Sequence, residues 1–409
     1  MSVSQTMKMK KPRLPAPSRF RRLWGLASGT VFLNHGSFGA CPKAVLDVQT
    51  RLRRHMEAEL VQFLWRRYDD LVDAARIAVA KFVGASPKNL VFTTNATTGV
   101  NSVLRSIDFK SGDEILTTSH DYNACRNVLV ETTCRTRAKL VVAGVPFPIK
   151  SEAQVLDAVL ERVTRRTRLA MLDHVTSSTA LVFPIQQLVR ELERRGVETL
   201  VDGAHAAGML PLNLEKLGAS YYTANLHKWT CAPKGVAFLW VRPDKQDKMQ
   251  PAVISHGNNR SRPGFSPFQD RFDWAGTFDV TPWLCVPHAI EFMGSLFTGG
   301  WRELRKRNHE LVVAARRSLC RQLDVAPPCP ENMLGSMATL PLPPAFQKLP
   351  PSGKIDREQL RLYDDYGIEV PFMRIGDPAR RYFRISAQIY NTPADFDYLA
   401  VAIQQIAPH

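Results

Sequence analysis

The sequence predicts an α/β fold in which a mostly parallel sheet is covered by helices on both faces. Short apolar segments typical of strands alternate with amphipathic helical segments between residues 90 and 241. Polar and reactive residues directly follow several of these strands, which is where open α/β sheets bind ligands. We expect a basic leader and N-terminal arm at 1–30, a large ligand-binding domain at 31–285 and a small C-terminal α/β domain at 286–409.

Composition excludes several classes of protein. The chain has 409 residues, 44% hydrophobic and 22% charged, and no apolar run long enough to cross a bilayer. Its 54 Lys and Arg outnumber 38 Asp and Glu, but they are dispersed along helices, so we expect neither a nucleic-acid nor a membrane partner. The 7 cysteines lack ligand spacing, which indicates a reduced cytoplasmic protein without a metal site.

The first residues form a basic leader without acidic residues. Such a composition overlaps with that of a transit peptide, but Pro12, Pro15 and Pro17 would break an amphipathic helix there. We therefore expect a disordered leader, followed by an arm at 20–24 that packs on the body.

The large domain is predicted to begin with a strand at 31–33 and a glycine-containing turn at 34–39, in which Asn34 and His35 are the polar residues. A helical pattern follows from Pro42 to Val83. On the residues alone, Asn34 and His35 are equally well explained as a capping residue and a surface histidine.

A strand at 90–94, a Thr-rich turn and a helix from 100 to 107 come next. Free N–H groups and hydroxyls at such a helix start suit an anion, with Ala96, Thr97 and Thr98 as candidates. An ordinary threonine N-cap is the alternative. Further strands are predicted at 114–118, 139–145 and 169–172, with helices at 152–163 and 185–195.

The strongest chemical signal lies between residues 199 and 235. Asp202 ends an apolar strand, and Lys228 follows another. A buried carboxylate requires a cationic partner, and a buried ammonium is unfavourable. Both requirements are met if Asp202 pairs with the pyridine nitrogen of pyridoxal 5′-phosphate and Lys228 forms a Schiff base with its aldehyde. His205 would bind the ring hydroxyl or flank the ring. Taken alone, Asp202 is also explained as a helix N-cap. Lys228 taken alone is also explained as a solvated residue at the end of a strand.

Four segments of this chain resemble class V aminotransferase-type, fold-type I PLP enzymes, and within them the isopenicillin N epimerase-like branch. The segments span residues 32–40, 201–208 with 225–229, 274–279 and 384–391. The resemblance implies a PLP-transferase fold with a mostly parallel seven-stranded sheet flanked by helices, PLP as the cofactor, and a homodimer with shared active sites.

The resemblance also implies site residues. Arg384 would clamp the substrate α-carboxylate, although a surface salt bridge is the alternative on charge alone. Tyr122, or failing that His120, would stack on the cofactor ring, and Thr277 would reach the neighbour's cofactor phosphate. The remaining implied positions are the phosphate-binding Ala96, Thr97 and Thr98, the pocket residues Thr176, Asn225 and His227, and the substrate-contacting Asn34 and His35.

Lys228 is the natural base for a Cα proton, and the subsequent step decides the reaction. Desulfurase-like relatives carry a catalytic cysteine in a loop that here reads 371–378 and has no cysteine. We therefore expect an epimerase or racemase acting at Cα of an amino acid or amino-acid conjugate, with a C–S lyase or an aminotransferase as alternatives. A regulatory protein that retains a PLP domain is disfavoured because Asp202, Lys228 and Arg384 are all present.

Overall fold

The computed structural model describes residues 12–349 and 356–407. The first eleven residues of the expected leader, among them Lys8, Lys10 and Lys11, lie outside the described residues. Trp24 is 3% exposed and donates its indole N–H to the Ala40 carbonyl at 3.1 Å. The arm therefore packs on the body, as expected.

The strands fall into three sheets. In chain order they are β1 (Val31–Phe32), β2 (Leu90–Thr93), β3 (Glu114–Thr118), β4 (Lys139–Ala143), β5 (Thr167–Asp173), β6 (Glu198–Asp202), β7 (Tyr221–Asn225), β8 (Ala237–Val241), β9 (Met337–Pro341), β10 (Ile368–Glu369), β11 (Phe372–Ile375) and β12 (Arg380–Ser386). The central sheet has seven strands in the order β2-β8-β7-β6-β5-β3-β4, and only β8 runs antiparallel to its neighbours. The predicted mostly parallel sheet is confirmed.

Helices cover both faces of this sheet. They are α1 (His35–Phe38), α2 (Lys43–Ala58), α3 (Tyr68–Val83), α4 (Ala96–Ser106), α5 (Asn123–Thr136), α6 (Ala153–Leu160), α7 (Ile185–Arg194), α8 (Leu214–Leu217), α9 (Pro267–Asp273), α10 (Thr281–Leu284), α11 (Val286–Ser295), α12 (Gly300–Gln322), α13 (Arg357–Tyr366) and α14 (Pro393–Ile406). None of the helices within the described ranges is long and apolar enough to cross a membrane.

Alternate residues of the buried strands enter two separate cores, because successive strand side chains point to opposite faces. In β5, Leu169 and Met171 pack with α4 and α5, whereas Ala170 and Leu172 belong to the core that includes α3, α6 and α7. The sheet is thus buried on both sides, which explains why its strands read as continuous apolar segments.

The helical pattern at 42–83 was predicted as one unit, and this is wrong in detail. The chain leaves helical geometry at Glu59 (φ −141°) and passes through a short π-helical turn at Gln62–Arg66 before α3 begins. Leu60 is 48% exposed. An apolar repeat does not reveal such a break, because it reports the buried face and not the backbone path.

The C-terminal part contains a three-stranded antiparallel sheet in the order β11-β12-β9, together with α12 and α14. β1 pairs in parallel with β10, with Val31 opposite Ile368. The beginning of the chain is therefore joined to its C-terminal part, beside the turn that follows β1.

Candidate active site

The candidate site lies at the carboxyl edge of the central sheet. Asp202 is the last residue of β6, and its neighbour in register is Asp173, the last residue of β5. Lys228 lies in the turn that follows β7. Because parallel strands end at the same edge, the fold gathers these side chains as the sequence predicted.

The backbone of residues 227–230 lies between two glycines that have positive φ angles. Gly39 (φ 69°) lies against the backbone of His227 and Lys228, and Gly208 (φ 93°) lies against Trp229. A Cβ atom at either glycine would overlap those backbone atoms. Only glycine meets both requirements, positive φ and close approach, so these positions fix the lysine backbone.

The Lys228 amine lies beside a neutral histidine. Its Nζ is 3.2 Å from His205 Nε2. Burial and, secondarily, the charge of Arg384 lower the pKa of Lys228 to about 8. Burial and the charge of Lys228 lower the pKa of His205 well below its usual value, so its ring is uncharged. The lowered pKa increases the unprotonated share of the Lys228 amine near neutral pH, and this is the form that a nucleophile or base requires.

Asp202 is a buried carboxyl that forms no ion pair within 4 Å in the described part of the chain, although the charge of Lys228 acts on it from farther away. Its Oδ1 accepts from the Ala204 N–H at 2.9 Å, and the Cys125 thiol donates to Oδ2 at 3.3 Å. Burial raises the pKa of Asp202. A cation bound at this carboxylate would restore its charge.

Asp173 was not identified as a site residue from the sequence. It is 3% exposed, and its Oδ2 has no hydrogen-bond partner within the described part of the chain. Burial and the neighbouring Asp202 raise the pKa of Asp173 well above its usual range. The available signal was the same as for Asp202, an acidic residue at the end of an apolar strand.

Arg384 lies in β12 and is 1% exposed, which contradicts the alternative of a surface salt bridge. Its Nη1 donates to the Ser177 carbonyl at 2.7 Å, and its Nη2 donates to Ser37 Oγ at 2.9 Å and to Asn34 Oδ1 at 3.3 Å. Nε has no partner in residues 12–349 and 356–407. Burial lowers the pKa of Arg384 to about 10, and the Tyr122 phenol opposes this shift. A buried guanidinium with only neutral partners is a site for a carboxylate.

The predicted phosphate-binding turn opens α4. Asn95, not a threonine, caps this helix by accepting the Thr98 N–H at 2.8 Å, and Asn225 Oδ1 accepts the Ala96 N–H at 2.9 Å. The Thr97 N–H has no such partner among the bonds of the described residues. A cavity of about 310 Å³ is lined by Thr98 together with Thr277 of the same chain. The structure thus brings the predicted phosphate contacts Thr98 and Thr277 to one cavity.

The two candidates for the ring-stacking residue differ in their surroundings. Tyr122 directly precedes α5 and is 45% exposed. His120 is buried, with Nδ1 2.8 Å from Thr179 Oγ1 and Nε2 3.0 Å from the Val145 carbonyl oxygen. The ring of His120 also lies beside Phe147 and Phe183. Tyr122 as the stacking residue, with His120 as the alternative, stays a prediction.

Several other predicted residues are held by protein groups. The Thr176 hydroxyl accepts the Leu181 N–H at 2.8 Å, and His227 Nδ1 lies 3.1 Å from the Val236 carbonyl oxygen. His35 is fully buried, which contradicts the alternative of a surface histidine, and its ring contacts Tyr390 and the Lys228 carbonyl. These contacts support the shape of the site. Of the two predicted substrate contacts, Asn34 bonds to Arg384 and His35 to the Lys228 carbonyl.

The donor set fits pyridoxal phosphate. It combines an amine of lowered pKa (Lys228), a carboxyl that lacks a cation (Asp202), and a buried His205 whose Nδ1 is unpartnered among the described atoms. Arg384, whose guanidinium suits an α-carboxylate, lies near enough for its charge to act on His205. An aldehyde, a protonated ring nitrogen and a ring hydroxyl would satisfy the first three, and an amino-acid substrate the fourth.

Comparisons with known proteins agree with this reading. The family model for aminotransferase class V matches residues 36–340. The isopenicillin N epimerase of Streptomyces clavuligerus is 33% identical, over 92% of this chain and 94% of the relative. A probable chloroplastic L-cysteine desulfhydrase of Arabidopsis thaliana is 32% identical, over 91% of this chain and 82% of the relative.

Solved structures share the fold at lower identity. The cystine C–S lyase C-DES, in complex with its reaction product cysteine persulfide, superposes with a TM-score of 0.76 at 20% identity, over 93% of this chain and 99% of the lyase. A mutant of C-DES holds glycine covalently linked to its PLP cofactor.

Proposed function

Because the chain belongs to the aminotransferase class V family, whose cofactor is pyridoxal 5′-phosphate, we propose that it acts at Cα of an amino acid or amino-acid conjugate as an isopenicillin N epimerase-like epimerase. The architecture is that of fold-type I PLP enzymes. The observation that carries the proposal is the Lys228 amine, which lies 3.2 Å from a neutral His205 and has a pKa of about 8.

When bound, pyridoxal phosphate withdraws electrons from a bond to Cα. Asp202 would hold the proton of the ring nitrogen, and Arg384 would fix the substrate carboxylate through its guanidinium. Lys228 Nζ would take the Cα proton as general base, a role that its lowered pKa favours. The hydroxyl of the exposed Tyr122 would return a proton on the other face, which inverts the configuration.

Two observations support an epimerase over a desulfurase that uses a catalytic cysteine. The relatives named isopenicillin N epimerase match more than nine-tenths of this chain, at 33% and 35% identity. The family resemblance places the catalytic cysteine of desulfurases in the segment 371–378, which contains no cysteine and lies in the hairpin of β11 and β12.

A C–S lyase is the second candidate function. It is supported by relatives named L-cysteine desulfhydrase, at up to 32% identity over most of the chain. The same Lys228, Asp202 and Arg384 would serve both reactions, since both begin with removal of the Cα proton.

One incubation distinguishes the candidates. The holoenzyme is mixed in deuterated water with isopenicillin N and with a panel of L-amino acids that includes cysteine. An epimerase exchanges the Cα hydrogen and scrambles the configuration, as read by mass spectrometry and chiral chromatography. Keto acid, ammonia and sulfide without any inverted isomer would overturn the proposal in favour of the lyase, and a requirement for a keto-acid acceptor would indicate a transaminase.

Arg384→Lys should raise KM about ten- to a hundredfold and change kcat less. A lysine ammonium cannot reproduce the two-pronged guanidinium pair, and hydrogen bonds to charged groups contribute about 1.5–3 kcal/mol each. Arg380→Lys, at an exposed position of the same strand, is the matched control. Unchanged KM in a folded Arg384→Lys enzyme would place the carboxylate elsewhere.

We further infer a homodimer with shared active sites, in which Thr277 contacts the neighbour's cofactor phosphate. The exposed position of Thr277, in the same cavity as Thr98 of its own chain, supports a place near a cofactor phosphate. The experiment must decide whether that phosphate belongs to the same subunit or to the neighbour. Mixing Lys228→Ala with Thr277→Ala subunits tests the arrangement. A cross-subunit contact produces one intact site per heterodimer and recovers activity; proven heterodimers without recovery would place Thr277 in its own chain's site.

A cytoplasmic location likewise stays a proposal, which cell fractionation would test.

A further inference from the structure

The segment at 34–40, which was predicted as a turn and contains the one-turn helix α1, contacts both ends of the candidate site. We call it the bridge turn. At one end, Asn34 Oδ1 and Ser37 Oγ accept hydrogen bonds from Arg384 Nη2 at 3.3 and 2.9 Å. At the other end, His35 Nε2 lies 3.1 Å from the Lys228 carbonyl oxygen. A single short segment is thus bonded to the proposed carboxylate clamp and to the backbone of the proposed reacting lysine.

The hydrogen bonds of His35 define its tautomer. Nδ1 is 3.3 Å from the Ala40 N–H donor and 2.8 Å from the Tyr390 hydroxyl. A backbone N–H donates only, so Nδ1 is the acceptor and Nε2 carries the hydrogen. Burial lowers the pKa of His35 to about 3, and the ring therefore stays neutral with its one N–H directed at Lys228.

Packing holds this ring in place. His35 is fully buried and lies against Trp229, with ring centroids 4.8 Å apart. The bridge turn is also bonded to the loop between β7 and β8, which holds Lys228. In this bond Lys234 Nζ donates to the Gly39 carbonyl at 2.7 Å. Towards the small domain, the Gly36 N–H donates to Ser386 Oγ at 3.0 Å. The turn therefore links the Lys228 segment to β12 by bonds on both sides.

We propose that His35 is a positioning residue, whose Nε2–H fixes the Lys228 backbone relative to Arg384 through the bridge turn. This rests on the proposed role of Lys228 as the residue that binds the cofactor. It assigns His35 a function different from the substrate contact that the sequence suggested. Because the bond is to a backbone carbonyl, its effect reaches the amine only through the position of the lysine.

Two substitutions separate this role from a general loss of packing. His35→Gln places an amide N–H near the position of Nε2 and keeps a donor for the Lys228 carbonyl, whereas the shorter His35→Asn does not reach it. His309→Asn is the control for a histidine-to-asparagine change away from the site, where His309 Nδ1 lies 2.9 Å from the Gly335 carbonyl oxygen. Thermal unfolding of all three variants reports the general loss of stability.

The measurement is covalent attachment of cofactor. The full-length protein is titrated with pyridoxal phosphate, reduced with borohydride, and the label on Lys228 is quantified by mass spectrometry. A net hydrogen bond contributes about 0.5–1.5 kcal/mol, so His35→Asn should raise the apparent Kd about two- to twelvefold. His35→Gln should stay closer to the wild type than His35→Asn at equal Tm, and His309→Asn should leave the Kd unchanged.

The outcomes are distinguishable. A label on wild-type Lys228, with equal Kd for His35→Asn and His35→Gln, would overturn the role of His35 alone. Absence of any label on wild-type Lys228 would overturn the proposed function, and this inference with it. Should His35→Asn not fold, His35→Leu takes its place, because leucine fills much of the same buried space and has no donor for the Lys228 carbonyl. An unchanged Kd in that variant would overturn the proposal.

Discussion

Lys228→Ala is expected to lower kcat by at least about a thousandfold, because a positioned general acid–base group contributes about 10²–10⁴-fold and the same residue would also hold the cofactor. The structure gives Lys228 the properties that this double role requires, namely an amine beside neutral His205 and a pKa lowered to about 8. Alanine retains the backbone between Gly39 and Gly208 and removes only the reacting group.

The loss is measured as the rate of Cα hydrogen exchange in deuterated water under saturating substrate. Lys248→Ala is the control, since that side chain is 79% exposed and pairs only with the equally exposed Asp108 among the described ion pairs. Exchange within tenfold of the wild type in Lys228→Ala would show that another group takes the Cα proton.

Asp202→Asn is expected to lower kcat by at least about a hundredfold while the protein still binds pyridoxal phosphate. The amide has the same shape but no charge, and it cannot hold the ring nitrogen protonated. Preorganised charges of this kind contribute about 10²–10³-fold to kcat. The Ala204 N–H that donates to Oδ1 can still be satisfied by the amide oxygen, so the fold should persist.

The control for Asp202→Asn is the same substitution at Asp108, which is 85% exposed. The pH dependence of the visible absorbance of the bound cofactor provides a second readout, because the ring nitrogen changes its charge. Near-normal turnover in Asp202→Asn would identify a different partner for the ring, and Asp173 at the end of the neighbouring strand would be the first to test.

Charged residues at the ends of apolar strands could be identified as candidate site residues from the sequence alone. Asp202 ends one apolar strand and Lys228 follows another, and both lie at the carboxyl edge of the sheet in the structure. The alternation of strands and helices likewise predicted the sheet, because a strand buried on both faces has a continuous apolar sequence.

Partners contributed from distant parts of the chain were not predictable in this way. Cys125, on α5, donates its thiol to Asp202, and its sequence context resembles that of any buried helix residue. The same holds for Ser177, whose carbonyl binds Arg384, and for His35, whose buried ring could not be distinguished from a surface histidine. These contacts are properties of the packed fold, which residue spacing does not report.

The central claim, that Lys228 binds the cofactor and is the reacting amine, is tested most directly by borohydride reduction of the holoenzyme followed by peptide mapping. The reduction should remove the visible absorbance of the bound cofactor, and mass spectrometry should then find the added pyridoxyl group on Lys228. A pyridoxyl group on Lys234 instead, or on no lysine, would contradict the account.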